Sequence, residues 1–151
     1  MMKKFIVVVL VLFLQSCSWV TDFYIVNKSD KQIIITYFNK QSKNPSSQEI
    51  KCFLKQPIVC KEDDMQTGRC RTLKPGEYSY DEKECTMELT LAPGDAVKID
   101  RACCSYTGPG SFSPLGSLII KTSDGSVRYD GIELLKAFEK VDKTLYVLNY
   151  R

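Results

Sequence analysis

Seven cysteines are the residues of this 151-residue chain best suited to chemistry: Cys17, Cys52, Cys60, Cys70, Cys85, Cys103 and Cys104. A thiol serves as metal ligand, nucleophile, redox centre or half of a disulfide, and its spacing and company decide which. The company here is restrictive, because the chain contains no histidine. That removes the Ser-His-Asp and Cys-His mechanisms, His-ligated zinc sites and the usual general base near neutral pH. No Cys-x-x-Cys pair occurs either, so a thioredoxin-like redox centre is not indicated. Cys103 and Cys104 are adjacent. A vicinal disulfide acting as a redox switch is one reading. Successive strand residues point to opposite faces, so two different partners, one on each side, is the preferred one.

Carboxylates are the other reactive set. Glu62-Asp63-Asp64 and Asp81-Glu82-Glu84 offer oxygen ligands of the kind calcium takes, but neither has the spacing of a calcium loop. Paired carboxylates also serve glycosidases, yet nothing in the sequence holds two at a working separation. Solvated loop charge is the default for both clusters. No glycine-rich phosphate loop or dinucleotide fingerprint is present. No catalytic residue, metal or cofactor is therefore assigned.

The first residues place the cysteines in a compartment. Lys3 and Lys4 precede an unbroken ten-residue apolar run, Phe5 to Leu14. A basic start and an apolar core of ~7–15 residues is the layout of a secretory signal. A spanning helix needs ~20 apolar residues, and no later segment approaches that length. Setting Cys17 aside leaves Cys52, Cys60, Cys70, Cys85, Cys103 and Cys104, an even set that reads as three disulfides in an exported protein. The connectivity is open.

Leu14-Gln15-Ser16-Cys17 resembles the lipobox of a bacterial lipoprotein signal, with Leu at minus three and a small residue at minus one. Gln15 departs from that pattern, in which a small or β-branched residue is more usual. The resemblance covers the N-terminus only. It implies diacylglyceryl transfer to the Cys17 sulfur, cleavage before it and acylation of the new amine. Two or more acyl chains hold a protein stably at a membrane. Ser18 rather than Asp follows the cysteine, which by resemblance to Gram-negative sorting favours the outer membrane, facing the periplasm. The alternative is ordinary cleavage after Ser18, giving a periplasmic or secreted protein. On the first reading residues 1–16 are the signal peptide and 17–151 a single disulfide-stabilised domain.

That mature span carries 19 basic residues (21 less Lys3 and Lys4) against 18 acidic ones, a net charge of +1. A near-neutral, interspersed surface argues against nucleic acid as a partner.

The elements that must position these residues are mostly strands. DFYIVN (22–27) and QIIITYF (32–38), rich in β-branched and aromatic residues, read as a hairpin around polar KSDK, beginning close to the membrane. Residues 39–85 hold four of the cysteines among charges and turn formers, with too little apolar sequence to hold themselves by burial. Disulfides worth ~2–4 kcal/mol each are the compensation. LKPGEYSY (73–80) and LAPGDAVKI (91–99) share a Pro-Gly pair that predicts type II turns, each followed by a strand. TMELTL (86–91) alternates, with Met87, Leu89 and Leu91 on one face. SLIIKT (117–122) and VRYD (127–130) form a second hairpin with Asp-Gly at its tip. IELLKAFEKV (132–141) is the one predicted helix, capped by Asp130 with Glu133 completing a box, and striped by Ile132, Leu135 and Phe138. TLYVLNY, apolar on both faces, belongs inside a sheet.

About eight strands and one helix favour a mainly β fold, a small sandwich of Ig-like type with one short helix near the C-terminus. The alternative is an α+β antiparallel sheet with one packed helix. The loop 105–117, SYTGPGSFSPLGS, is the binding candidate through Tyr106 and Phe112, since aromatic residues in a loop on a rigid scaffold suit protein or glycan contact. The expected function is a membrane-anchored, non-enzymatic envelope binding module. The alternatives are a carboxylate-based cell-wall or glycan hydrolase and an inhibitor or immunity lipoprotein.

Overall fold

The computed structural model describes residues 20–38, 56–103 and 116–151, and these build a β-sandwich with one short helix near the C-terminus. In chain order the strands are β1 (Val20–Asn27), β2 (Ile33–Phe38), β3 (Ile58–Lys61), β4 (Arg71–Thr72), β5 (Tyr78–Asp81), β6 (Thr86–Leu91), β7 (Asp95–Cys103), β8 (Ser117–Thr122) and β9 (Gly125–Asp130). The helix α1 (Gly131–Ala137), β10 (Glu139–Asp142) and β11 (Leu145–Tyr150) complete it. One sheet runs β10-β11-β1-β7-β3-β4, the other β5-β6-β2-β8-β9. All pairings are antiparallel except β1 with β11, which is parallel. The core between the sheets is set by alternation. Phe23, Ile25, Val97 and Leu148 come from the first sheet, and Ile33, Ile35, Met87, Leu89, Leu118 and Ile120 from the second.

The Pro-Gly turns form as expected. Gly76 and Gly94 take φ of +97° and +74°, which glycine adopts without steric cost. The Glu77 amide donates to Lys74 O at 3.0 Å and the Asp95 amide to Ala92 O at 3.1 Å, closing each turn. β6 covers the residues read as TMELTL, and its Met87, Leu89 and Leu91 are buried. β11 lies between β10 and β1, paired on both sides.

The structure corrects four local readings. First, β1 and β2 are not a hairpin: they lie in different sheets, joined by an arch. β1 has four consecutive buried apolar residues, Phe23 to Val26, and needs strands on both edges, which β7 and β11 supply. Asn27 holds the arch. Fully buried, its Nδ2 donates to Lys31 O at 2.8 Å and across the sandwich to Leu91 O at 3.0 Å, while its Oδ1 accepts from the Ser29 amide at 3.1 Å.

Second, the helix stops at Ala137 instead of running to Val141. Phe138 is extended and sets its ring edge-on to Phe23, centroids 5.5 Å apart, and the chain then pairs with β11 as β10. Leu134, Leu135 and Phe138 are buried but Ile132 is 59% exposed, so the stripe is one residue out at its start. Third, Asp130 makes no capping hydrogen bond. Its carboxylate accepts from Arg128 Nε at 2.7 Å. Fourth, the second hairpin turns through Ser123-Asp124, with Gly125 already paired to Thr122. Eleven strands are present among the described residues, more than the eight expected, because short edge strands such as β4 and β10 carry little periodicity of their own.

Candidate binding groove

The outer face of the first sheet is apolar where solvent is the usual neighbour. Tyr24, Val26, Ala96, Leu145 and Val147 all point away from the main core, yet each is at most 8% exposed. Part of the cover is the segment between Cys60 and Cys70. These two cysteines form a disulfide with Cα atoms 4.4 Å apart. Within the closed loop Glu62–Asp64 make a 3-10 turn, the Gly68 amide donates to Asp64 O at 3.0 Å, and Gly68 takes φ of +71° to turn the chain back. Met65 and Cys70 then pack onto the face formed by Tyr24, Val26, Cys60 and Ala96. The Glu62 amide donates to Gly94 O at 3.2 Å, and the Lys28–Glu62 and Lys61–Asp95 ion pairs hold the loop at its margins.

A groove of about 430 Å³ runs between this loop and the outer face of β11. Its apolar part is Met65, Val141, Leu145 and Val147, and its polar part includes Gln66 and Asn149. Lys28, Glu62, Asp63 and Arg151 supply charges of both signs. An apolar base with a mixed charged rim suits contact with a protein or an amphipathic ligand. A smaller hollow of about 330 Å³ lies beside the disulfide, with Arg69, Arg71, Asp64 and Asp95 around it.

Of the residues singled out from sequence, Cys60 and Cys70 are bonded to each other, and Cys85 is disulfide-bonded as well. Cys85 sits buried at the end of a tight turn, with φ of +51°. That turn is organised by Asp81, whose Oδ1 accepts from the Lys83 amide at 2.8 Å and the Glu84 amide at 3.2 Å. Cys17, Cys52 and Cys104, the side chain of Cys103, and Tyr106 and Phe112 of the candidate loop lie outside the described residues. Of the acidic clusters, Glu62 is ion-paired with Lys28 and Asp81 organises its turn. Among the described residues no three His, Cys, Asp or Glu side chains are grouped to hold a metal ion, and no helix is long and apolar enough to cross a membrane.

The groove was missed from sequence. Lys28, Met65 and Asn149 are far apart in the chain and meet only through strand register. The one available signal was the two-faced apolar pattern of TLYVLNY, which requires cover on both sides. Comparison with known protein families, curated proteins and solved structures finds no match to this chain.

Proposed function

We propose that the chain is exported and held at a bacterial membrane by lipid on Cys17, and that its sandwich is a non-enzymatic binding module for a protein or glycan partner in the envelope. The observation that carries this is the N-terminal sequence: Lys3-Lys4, the apolar run and Leu14-Gln15-Ser16-Cys17, with the first strand three residues later. The Cys60–Cys70 disulfide suits an oxidising compartment. Ser18 after the cysteine favours the outer membrane, facing the periplasm. The absence of histidine weighs against the common hydrolytic mechanisms. The mixed groove along β11 and the aromatic loop residues Tyr106 and Phe112 are the contact surfaces offered to the partner.

The test is Cys17→Ser in the full chain, grown with a labelled fatty acid. The variant is expected to lose the label and either keep its signal peptide or appear as a soluble form. Equal labelling of variant and parent would sink the anchor.

A further inference from the structure

Strand register sorts the loops of the sandwich into two ends. β1 starts at Val20, opposite Cys103 of β7, and the Asp22 amide donates to Thr144 O at 2.8 Å, so the turn between β10 and β11 lies at that same end. β2 also finishes there. Phe38 stands across from Thr86 and Ser117, and Ser117 from Asp130, where α1 begins. The other end carries the 28–32 arch, the Ala92–Asp95 turn and the Ser123-Asp124 tip.

Two residues, Ser18 and Trp19, separate Cys17 from Val20. Consecutive Cα atoms are about 3.8 Å apart, so Cys17 stays within about 11 Å of the start of β1. Lipid on its sulfur therefore brings the first end of the sandwich, and not the second, to the bilayer surface. An independent observation marks the same end. The two most exposed large hydrophobic side chains among the described residues are Ile132 at 59% and Val141 at 52%. Ile132 is the second residue of α1. Val141 is where the β10–β11 register shifts, two residues before the turn.

Charge does not oppose that corner. Around Ile132 and Val141, Lys136, Lys140 and Lys143 are balanced by Glu133, Glu139 and Asp142. At the far side of the same end, Asp81, Glu82 and Glu84 outnumber Lys83 in the turn after β5. Anionic headgroups repel that side and leave the neutral side free to settle.

We propose, resting on acylation of Cys17, that the α1–β10 corner of the sandwich lies on the lipid surface with Ile132 and Val141 in the headgroup region, so that the β11 groove, whose lining includes Val141, opens beside the bilayer and the arch and the Ser123-Asp124 tip face away from the membrane. The contact is apolar, and salt does not release it.

The experiment uses the full chain, lipidated in its host and reconstituted in vesicles of phosphatidylethanolamine and phosphatidylglycerol. Trp19→Phe removes the only native tryptophan. Single probes are then placed by Ile132→Trp, by Val141→Trp and, at the other end, by Ser123→Trp, all at exposed positions. Lipids brominated on their acyl chains quench the fluorophores they reach. Ile132→Trp and Val141→Trp are expected to be quenched several-fold more than Ser123→Trp, equally at low and high salt. Equal quenching at both ends, or none, in protein whose Cys17 peptide carries acyl mass overturns the orientation and leaves the anchor standing. A Cys17 peptide without acyl mass overturns both. The probes at 132 and 141 sit on separate elements, so the outcome does not hang on one variant folding.

Discussion

The two sheets finish their outer faces in opposite ways. On the six-stranded sheet the outward residues Tyr24, Val26, Ala96 and Val147 are nearly as buried as the core, and Met65 and the Cys60–Cys70 disulfide pack over part of them. On the five-stranded sheet the outward residues are largely polar and accessible. Thr36 donates to Glu88 Oε2 at 2.9 Å, Lys121 reaches Glu88 at 3.8 Å, and Arg128 pairs with Asp130 at 2.7 Å. Ile34, on the same face, is 39% exposed. The difference follows from the strands. β1 and β11 form the one parallel pair among the described residues, and parallel strands are generally buried on both faces. β6 and β8 alternate, and β2 departs from alternation only at Thr36, whose hydroxyl is satisfied by Glu88, so burial is needed mainly on one face. One face thus depends on apolar cover and a covalent staple, with ion pairs at its margins and between Lys98 and Asp22, and the other on exposed polar and ionic contacts.

The sharpest test compares a charge placed on each face. Val26→Asp puts a carboxylate at a fully buried outward position among Tyr24, Ala96 and Val147. An uncompensated buried charge costs about 3–5 kcal/mol. Ile119→Asp puts the same group on the outer face of β8, directly across from Arg128. There a loss of about 1 kcal/mol or less is expected. Urea unfolding of the two variants measures the gap, and equal losses would erase the distinction between the faces.

A smaller effect is expected from the staple. Cys60→Ser combined with Cys70→Ser opens a short loop, which typically costs about 2–4 kcal/mol. If the disulfide holds the covering layer, protease should then cut near Met65 before the sheets unfold. An unchanged midpoint with no early cut would mean that Met65 and the ion pairs to Lys28 and Asp95 hold the layer by themselves.

Chemistry confined to a few residues was readable in the sequence. The Pro-Gly turns at 75–76 and 93–94, the alternation of β6 and the interior position of β11 all follow from neighbouring residues. The arch after Asn27 was not readable, because KSDK is equally suited to a hairpin and to a crossing between sheets. What decides is a hydrogen bond from Asn27 to Leu91 O, 64 residues away. The helix end was hidden for a similar reason. EKV continues a helical pattern, but β11 takes it as an edge strand once Phe138 is seated against Phe23. The groove was the least legible feature. Its apolar base joins a disulfide loop to a strand near the other end of the chain, and no local spacing announces that meeting.

The last and smallest difference between the faces is their response to acid. On the open face, the Arg128 hydrogen bond, with help from Ser117, holds the Asp130 carboxyl below its ordinary value. A carboxylate whose folded pKa is depressed contributes stability that is fully present above its unfolded value of about 3.9 and is lost as pH falls through the folded value. The pair is solvent-exposed, so salt screens it and the effect on stability is slight. Asp130→Asn should therefore flatten the acid limb of the stability curve a little at low salt and leave neutral-pH unfolding almost unchanged. The other face has ion pairs too, Lys28–Glu62 and Lys61–Asp95 at the margins of the cover and Lys98–Asp22 at 3.4 Å on the sheet, but Met65 is apolar and touches none of them through charge, so Met65→Leu should leave the pH dependence as it was while altering packing. A Met65→Leu variant with a shifted acid limb would show that the packing of Met65 holds those ion pairs in place.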